Sequence, residues 1–229
     1  MNATGSVRRR PDRGGYARGE ETRARIIEAA IRVFGDEGYE RASTRQIAAE
    51  AGVNPPALQY YFDSKEGLHR ACAESLVANM RQALGPAFDA GAAAARSGDR
   101  RRAVEALCDV LDAVADLSVT TPDMMGRKRF VARAQADGAG PGLELIRDQM
   151  VRPLHEVCAA LVGAATGRPP EEEAVRLRTV LVLSQLSALH ASRTHTLCML
   201  GKADFDEALL AKLKAAMRAH TISALTEAR

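Results

Sequence analysis

Between Asn54 and Lys65 the chain reads NPPALQYYFDSK, a short span holding two phenolic hydroxyls, two carboxamides and an ammonium. Groups of this kind donate to phosphate oxygens and base edges. Two uses are open for Tyr60 and Tyr61: amphipathic rings over apolar surface with wet hydroxyls, or a hydroxyl donated to a phosphate, for which helix geometry favours Tyr61. Lys65 stands just beyond as a further phosphate contact. Other chemistry finds no residues. Cys72, Cys108, Cys158 and Cys198 are spaced 36, 50 and 40 apart, which lacks the C-x-x-C pairing of zinc and redox sites and predicts buried reduced thiols. His190 and His195 fall on different faces of a helix, so no metal site is expected. P-loop, H-E-x-x-H and G-x-S-x-G motifs are absent, which argues against an all-α enzyme, and no cofactor is expected.

The elements that must position these groups are helices. Trp is absent, Phe and Tyr together make 4%, and Ala, Leu and Arg recur throughout, a composition for close helix packing in an all-α fold. From Glu21 onward Ile27, Ala30, Ile31 and Phe34 keep helical period, with Thr22 as cap and Gly38 as the left-handed residue past the end. Ser43 and Gln46 form a capping box that opens a second helix. Its Ile47 and Ala51 share a side, Ala48 is small enough for close approach, Gly52 takes positive φ, and Val53 plugs the turn. Pro55-Pro56 then fixes the start of a third helix, because proline's missing N–H has no partner in a first turn anyway. Either Asn54 caps it or Pro55 is the boundary, since a residue before proline avoids the α region. Its first turn presents Ala57 and then Gln59 outward, while Leu58 and Phe62 close the small core. Helix, short turn, helix is the helix-turn-helix unit, whose second helix enters the DNA major groove.

The stretch TRQIAAEAGVNPPALQYYFDSKEGL, residues 44–68, resembles the DNA-binding signature of TetR-type transcriptional regulators across residues 21–68, through Thr44, Ile47-Ala48, Ala51-Gly52-Val53, Leu58, Tyr61-Phe62 and Ser64-Lys65-Glu66. LHRACAES and LSALHASRTHTLCMLGKADFD are similar to the subgroup with a CerR-like C-terminal domain. The resemblance implies DNA contacts by Thr44 and Arg45. It also implies that Asn54 begins a groove-facing set of Pro55, Pro56, Ala57, Gln59 and Tyr60, with Tyr61 and Lys65 on phosphates. Two residues depart from the family pattern: Pro56 replaces a glycine, removing a backbone donor, and Gln59 replaces a tyrosine, supplying an amide able to read adenine bidentately.

Three domains are expected: a flexible basic arm over 1–20, a helix-turn-helix domain over 21–66, and a helical effector-binding and dimerisation domain over 67–229. Arg8, Arg9, Arg10, Arg13 and Arg18 against Asp12 give residues 1–18 a charge of +4; the arm reads as a solvated tail or a groove-binding arm. A fourth helix is expected over 64–84, stopping at Gly85-Pro86, as the only element shared by both halves. Others follow over 101–117, 127–136 and 143–164. A 29-residue helix over 171–199 and one over 204–227 come last. In TetR-like proteins the last two helices pair across a two-fold axis into a four-helix bundle, which implies a homodimer. Similar proteins line the effector cavity with the segments that carry Met80, Phe88, Leu107, Leu111, Val114, Met124, Met125 and Phe130 here. Arg127, Lys128 and Arg129 read either as an anion-recognising set or as a solvated charge run. No charge-free apolar stretch of about 18 residues occurs, so a soluble, cytoplasmic protein without a membrane partner is expected. The expected function is a repressor released from a near-palindromic operator by a small molecule, with a constitutive DNA-binding protein as the alternative.

Overall fold

The computed structural model describes residues 13–120, 124–138, 140–189 and 192–226; the Arg8-Arg9-Arg10 run and His190 lie outside them. Among the described residues all regular structure is helical, and no helix is long and apolar enough to cross a membrane.

Helix α1 (Arg13–Glu37) starts within the stretch assigned to the arm. Thr22 is therefore interior, and its hydroxyl donates to the Arg18 carbonyl at 2.9 Å instead of capping. α2 (Thr44–Ala51) and α3 (Pro55–Phe62) pack on α1 around Ile26, Ile31, Phe34, Ile47, Leu58 and Phe62. α4 (Lys65–Arg96) runs through Gly85-Pro86 to Arg96, past the expected stop and through the expected loop. Proline removes one helical donor, but Pro86 is exposed, and Gly91 and Ala94 beyond it are buried as α4 packs on α5 (Arg100–Thr120) and α8 (Arg152–Thr166). Tertiary packing outweighs the local break.

Two cores result, and α4 lends residues to both: Leu68, Cys72 and Leu76 to the N-terminal one, Met80 and Leu84 to the C-terminal one. It is not the only shared element. α6 (Met124–Asp137) follows α5 in sequence yet packs chiefly on α1, and its Phe130 and Ala134 belong to the N-terminal core. A methyl added at Gly35 would stand 3.0 Å from the Gly126 carbonyl oxygen, so the two helix backbones nearly touch. Arg127 pairs with Glu28, and Arg129 with Asp36 at 2.9 Å. α7 (Leu143–Ile146) passes through a π-helical stretch, Arg147–Val151, into α8.

The single helix expected over 171–199 is broken. α9 (Glu173–Ser184) gives way to a 3-10 segment, Gln185–Leu189, and α10 (Arg193–Met199) follows. Leu186 and Leu189, three apart, are both buried, which suits the three-residue period of a 3-10 turn, and the Gln185 amide donates to Val182 O and Thr221 Oγ1. α11 (Glu207–Thr226) is held on α5 by Lys214–Asp116 at 2.8 Å and Arg218–Asp112 at 2.7 Å. Cys72, Cys108 and Cys158 are buried, but Cys198, on the short surface helix α10, is exposed and corrects the expectation for that thiol.

Candidate nucleic-acid interface

The turn between α2 and α3 is built from local signals. Ser43 Oγ accepts from Gln46 N at 3.1 Å, Gly52 sits at φ 63°, and Val53 N donates to Ala48 O at 3.0 Å. Asn54 is extended and makes no side-chain cap, so Pro55 is the first helical residue. Leu58 and Phe62 point into the core, leaving Asn54, Pro55, Pro56, Gln59 and Tyr60 exposed, with Ala57 half-buried beside them. Tyr60 is 82% exposed, an unusual place for a large ring. Thr44 and Arg45, at the start of α2, are exposed as well, and Arg45 has no ion-pair partner among the described residues.

Tyr61 and Lys65 are more constrained. Tyr61 is half-buried, stands edge-on to Tyr60 at 5.1 Å, and brings its hydroxyl close to α1, 3.8 Å from where a Gly19 Cβ would stand. Lys65 Nζ donates to the Glu40 carbonyl at 3.1 Å and lies 4.8 Å from the centre of the Tyr39 ring, so one of its three N–H groups is engaged. Tyr39 in turn donates to Glu66 Oε1 at 2.8 Å; burial, then that bond, push its phenol up to about 12.

Sequence reading did not find the joint beneath this surface. His69 of α4 is buried among Phe34, Tyr39 and Phe130 at ring distances of 4.8–5.0 Å. Burial, and less so the charge of Lys65, push its pKa down to about 4, so the ring is neutral and Nδ1 accepts from Gly142 N at 3.2 Å. One aromatic cluster thus joins α1, α4, α6 and the link into α7.

The residues expected to line an effector cavity do not form one group. Met80, Leu107, Leu111 and Val114 lie in the C-terminal core with Phe88 against it, whereas Phe130 packs in the other core. Met124 is half-buried and Met125 is exposed. Nor is the Arg127–Arg129 run a solvated face: its outer members pair with α1, and Lys128 Nζ donates to Ser118 O at 3.2 Å and Leu189 O at 3.1 Å. On the C-terminal domain's outer side, Leu177, Val180 and Leu181 form an exposed apolar stripe on α9, and Ile222 is exposed on α11. Their i, i+3, i+4 spacing was the available signal.

Comparison with known proteins decides the family. Residues 26–72 match the family model of bacterial regulatory proteins of the tetR family, and residues 103–228 match the C-terminal domain of the HTH-type transcriptional dual regulator CecR. The CecR of Shigella flexneri is 31% identical over 193 residues, covering 83% of this chain and 85% of that protein. The chain belongs to the TetR family. Within it the C-terminal domain is of the CecR type. FasR of Mycolicibacterium smegmatis, named a transcriptional activator, is 36% identical over 108 residues, covering 43% of this chain and 47% of that one. The solved structure of a TetR-like regulator from Rhodococcus sp. RHA1 shares the fold at a TM-score of 0.61 and 19% identity, covering 95% of this chain and 98% of that one. This TetR-family chain is a DNA-binding transcriptional regulator, and its relatives are regulators, not enzymes. TetR regulators bind operators, typically as dimers, with small-molecule effectors.

Proposed function

We propose that the protein is a cytoplasmic homodimeric repressor that reads a near-palindromic operator with α3 and leaves it when a small molecule binds the C-terminal domain. The observation that carries the reading is the outward face of α3, where Gln59 and Tyr60 stand clear of a well-packed three-helix core. Thr44 and Arg45 enter from α2, Asn54, Pro55, Pro56, Ala57, Gln59 and Tyr60 face the groove, and Tyr61 and Lys65 hold phosphates. The α9 stripe and α11 supply the two-fold contact, which places the two copies of α3 on successive half-sites. The sign of regulation does not follow from kinship, since one relative is named a dual regulator and another an activator. The test of the whole reading is a screen of metabolites and antibiotics for thermal stabilisation, followed by operator titration with each hit. Hits that stabilise the protein and leave operator affinity unchanged would support a constitutive DNA-binding protein instead.

Phosphate contacts should show in salt dependence. Lys65→Ala is expected to weaken binding to all sequences alike and to lower the slope of log affinity against log salt by about one. Removing residues 1–12, with Arg8, Arg9 and Arg10, should weaken binding most at low salt and leave sequence preference in place. Fluorescence anisotropy on operator and random duplexes over a salt series checks both. An unchanged slope for Lys65→Ala would remove that residue from the interface.

A further inference from the structure

Two consecutive prolines, Pro55 and Pro56, open α3, and both are exposed. Neither has an N–H, and the amide of the next residue, Ala57, donates to Asn54 O at 3.0 Å. A helix start ordinarily offers such amides to an anion or another acceptor, and residues 55–57 have none to offer. What the prolines present instead is the CH2 surface of their rings.

Helical spacing puts that surface beside Gln59. Pro55 and Pro56 precede Gln59 by four and three residues, and Pro56 precedes Tyr60 by four, so one exposed face carries two pyrrolidine rings, a carboxamide and a phenol. The face is also rigid. Proline fixes φ, Leu58 and Phe62 anchor the opposite side of α3 in the core, and Gly52 with the Val53 N–H on Ala48 O sets the turn before it.

In the major groove the base edges are polar except for one group, the C5-methyl of thymine. A pyrrolidine ring set against cytosine N4 or guanine O6 strips water from it and returns no hydrogen bond; set against the methyl, it leaves nothing unpaired. At 1.5 Å per residue the two prolines lie about 4.5–6 Å along α3 from Gln59, which spans one to two base steps of about 3.4 Å. Resting on the reading of α3 as the helix that enters the groove, we propose that Pro55 and Pro56 are a second, apolar reader, which takes the C5-methyl group of a thymine one or two base pairs from the base read by Gln59. Each half-site is then read by two chemically distinct parts, a carboxamide for adenine and a pyrrolidine pair for thymine.

The test uses the full-length protein and the operator it selects from random DNA, with each thymine replaced in turn by deoxyuridine, which removes the methyl and keeps every hydrogen-bonding group. One thymine per half-site is expected to respond, with affinity falling roughly 4-fold for one half-site and about 15-fold for both, the size of one buried methyl in each. Replacing that thymine–adenine pair by cytosine–guanine should weaken binding, and 5-methylcytosine, which returns the methyl alone, should recover part of the loss. In Pro55→Ala with Pro56→Ala the uridine penalty at that thymine should fall below about 2-fold. Both positions are exposed and alanine is a strong helix former; should the pair still not fold, Pro56→Ala alone must reduce the penalty. Thymines that all tolerate uridine, or a penalty undiminished in the proline variants, overturn the proposal, and if Gln59→Ala still relaxes one position the reading of α3 stands without it. A wild type with no sequence preference removes both.

Discussion

Leu177→Glu with Leu181→Glu is expected to give a folded monomer whose operator affinity falls to near its non-specific level, a loss of about 10³-fold or more. Both side chains are more than half exposed in the protomer, at 58% and 66%, so the substitutions remove little intrachain packing. The other face of α9, with Val175, Thr179 and Val182, is buried in the core and keeps the helix in place. In a two-fold contact each substitution occurs twice. Four leucines, each contributing about 1.5–3 kcal/mol on burial, are replaced by four carboxylates that must be desolvated or stay apart. Light scattering at micromolar concentration reads the mass and anisotropy reads the affinity, with circular dichroism as the folding control. A variant that stays dimeric would move the interface away from α9.

Gly140→Ala is the second large effect, and it acts on stability. Gly140 sits at φ +107°, and an added Cβ would stand 2.8 Å from His69 Cε1. Backbone strain of about 1–3 kcal/mol adds to an overpacking cost of about 1–3 kcal/mol, because His69 is walled in by Phe34, Tyr39 and Phe130 and has nowhere to shift. Urea unfolding should show a lower midpoint. His69→Ala in the same chain should restore the part due to the clash and leave the part due to φ, so the double-mutant cycle separates the two. Additive losses would mean that the ring and the glycine do not meet.

The reading module was legible because its signals are local. Ser43, Gly52 and Pro55-Pro56 each dictate backbone geometry within a residue or two, and α2, its turn and α3 follow. What escaped depends on distant contacts. Gly85-Pro86 reads as a stop until Gly91 and Ala94 find α5 and α8. The close approach of α6 to α1 rests on Gly35, whose missing side chain leaves no periodic mark. Arg127 to Arg129 looked alike in sequence, yet their partners are Glu28, two backbone carbonyls and Asp36, and carbonyls belong to every residue type. The effector-lining set was assembled by segment, and a segment that folds onto the other core took Phe130 with it.

The central claim is that two copies of α3 read DNA, with Gln59 as the base reader. Selection of binding sites from random duplex DNA, run in parallel with the wild-type chain and Gln59→Ala, tests it most directly. The wild type should enrich a near-palindrome with half-site centres about one helical turn, roughly 34 Å, or slightly more apart. Gln59→Ala should lose about 1–3 kcal/mol of affinity and relax preference at one position in each half-site, with the other positions kept. No enriched palindrome from the wild type, or indistinguishable profiles from the two proteins, would contradict the account.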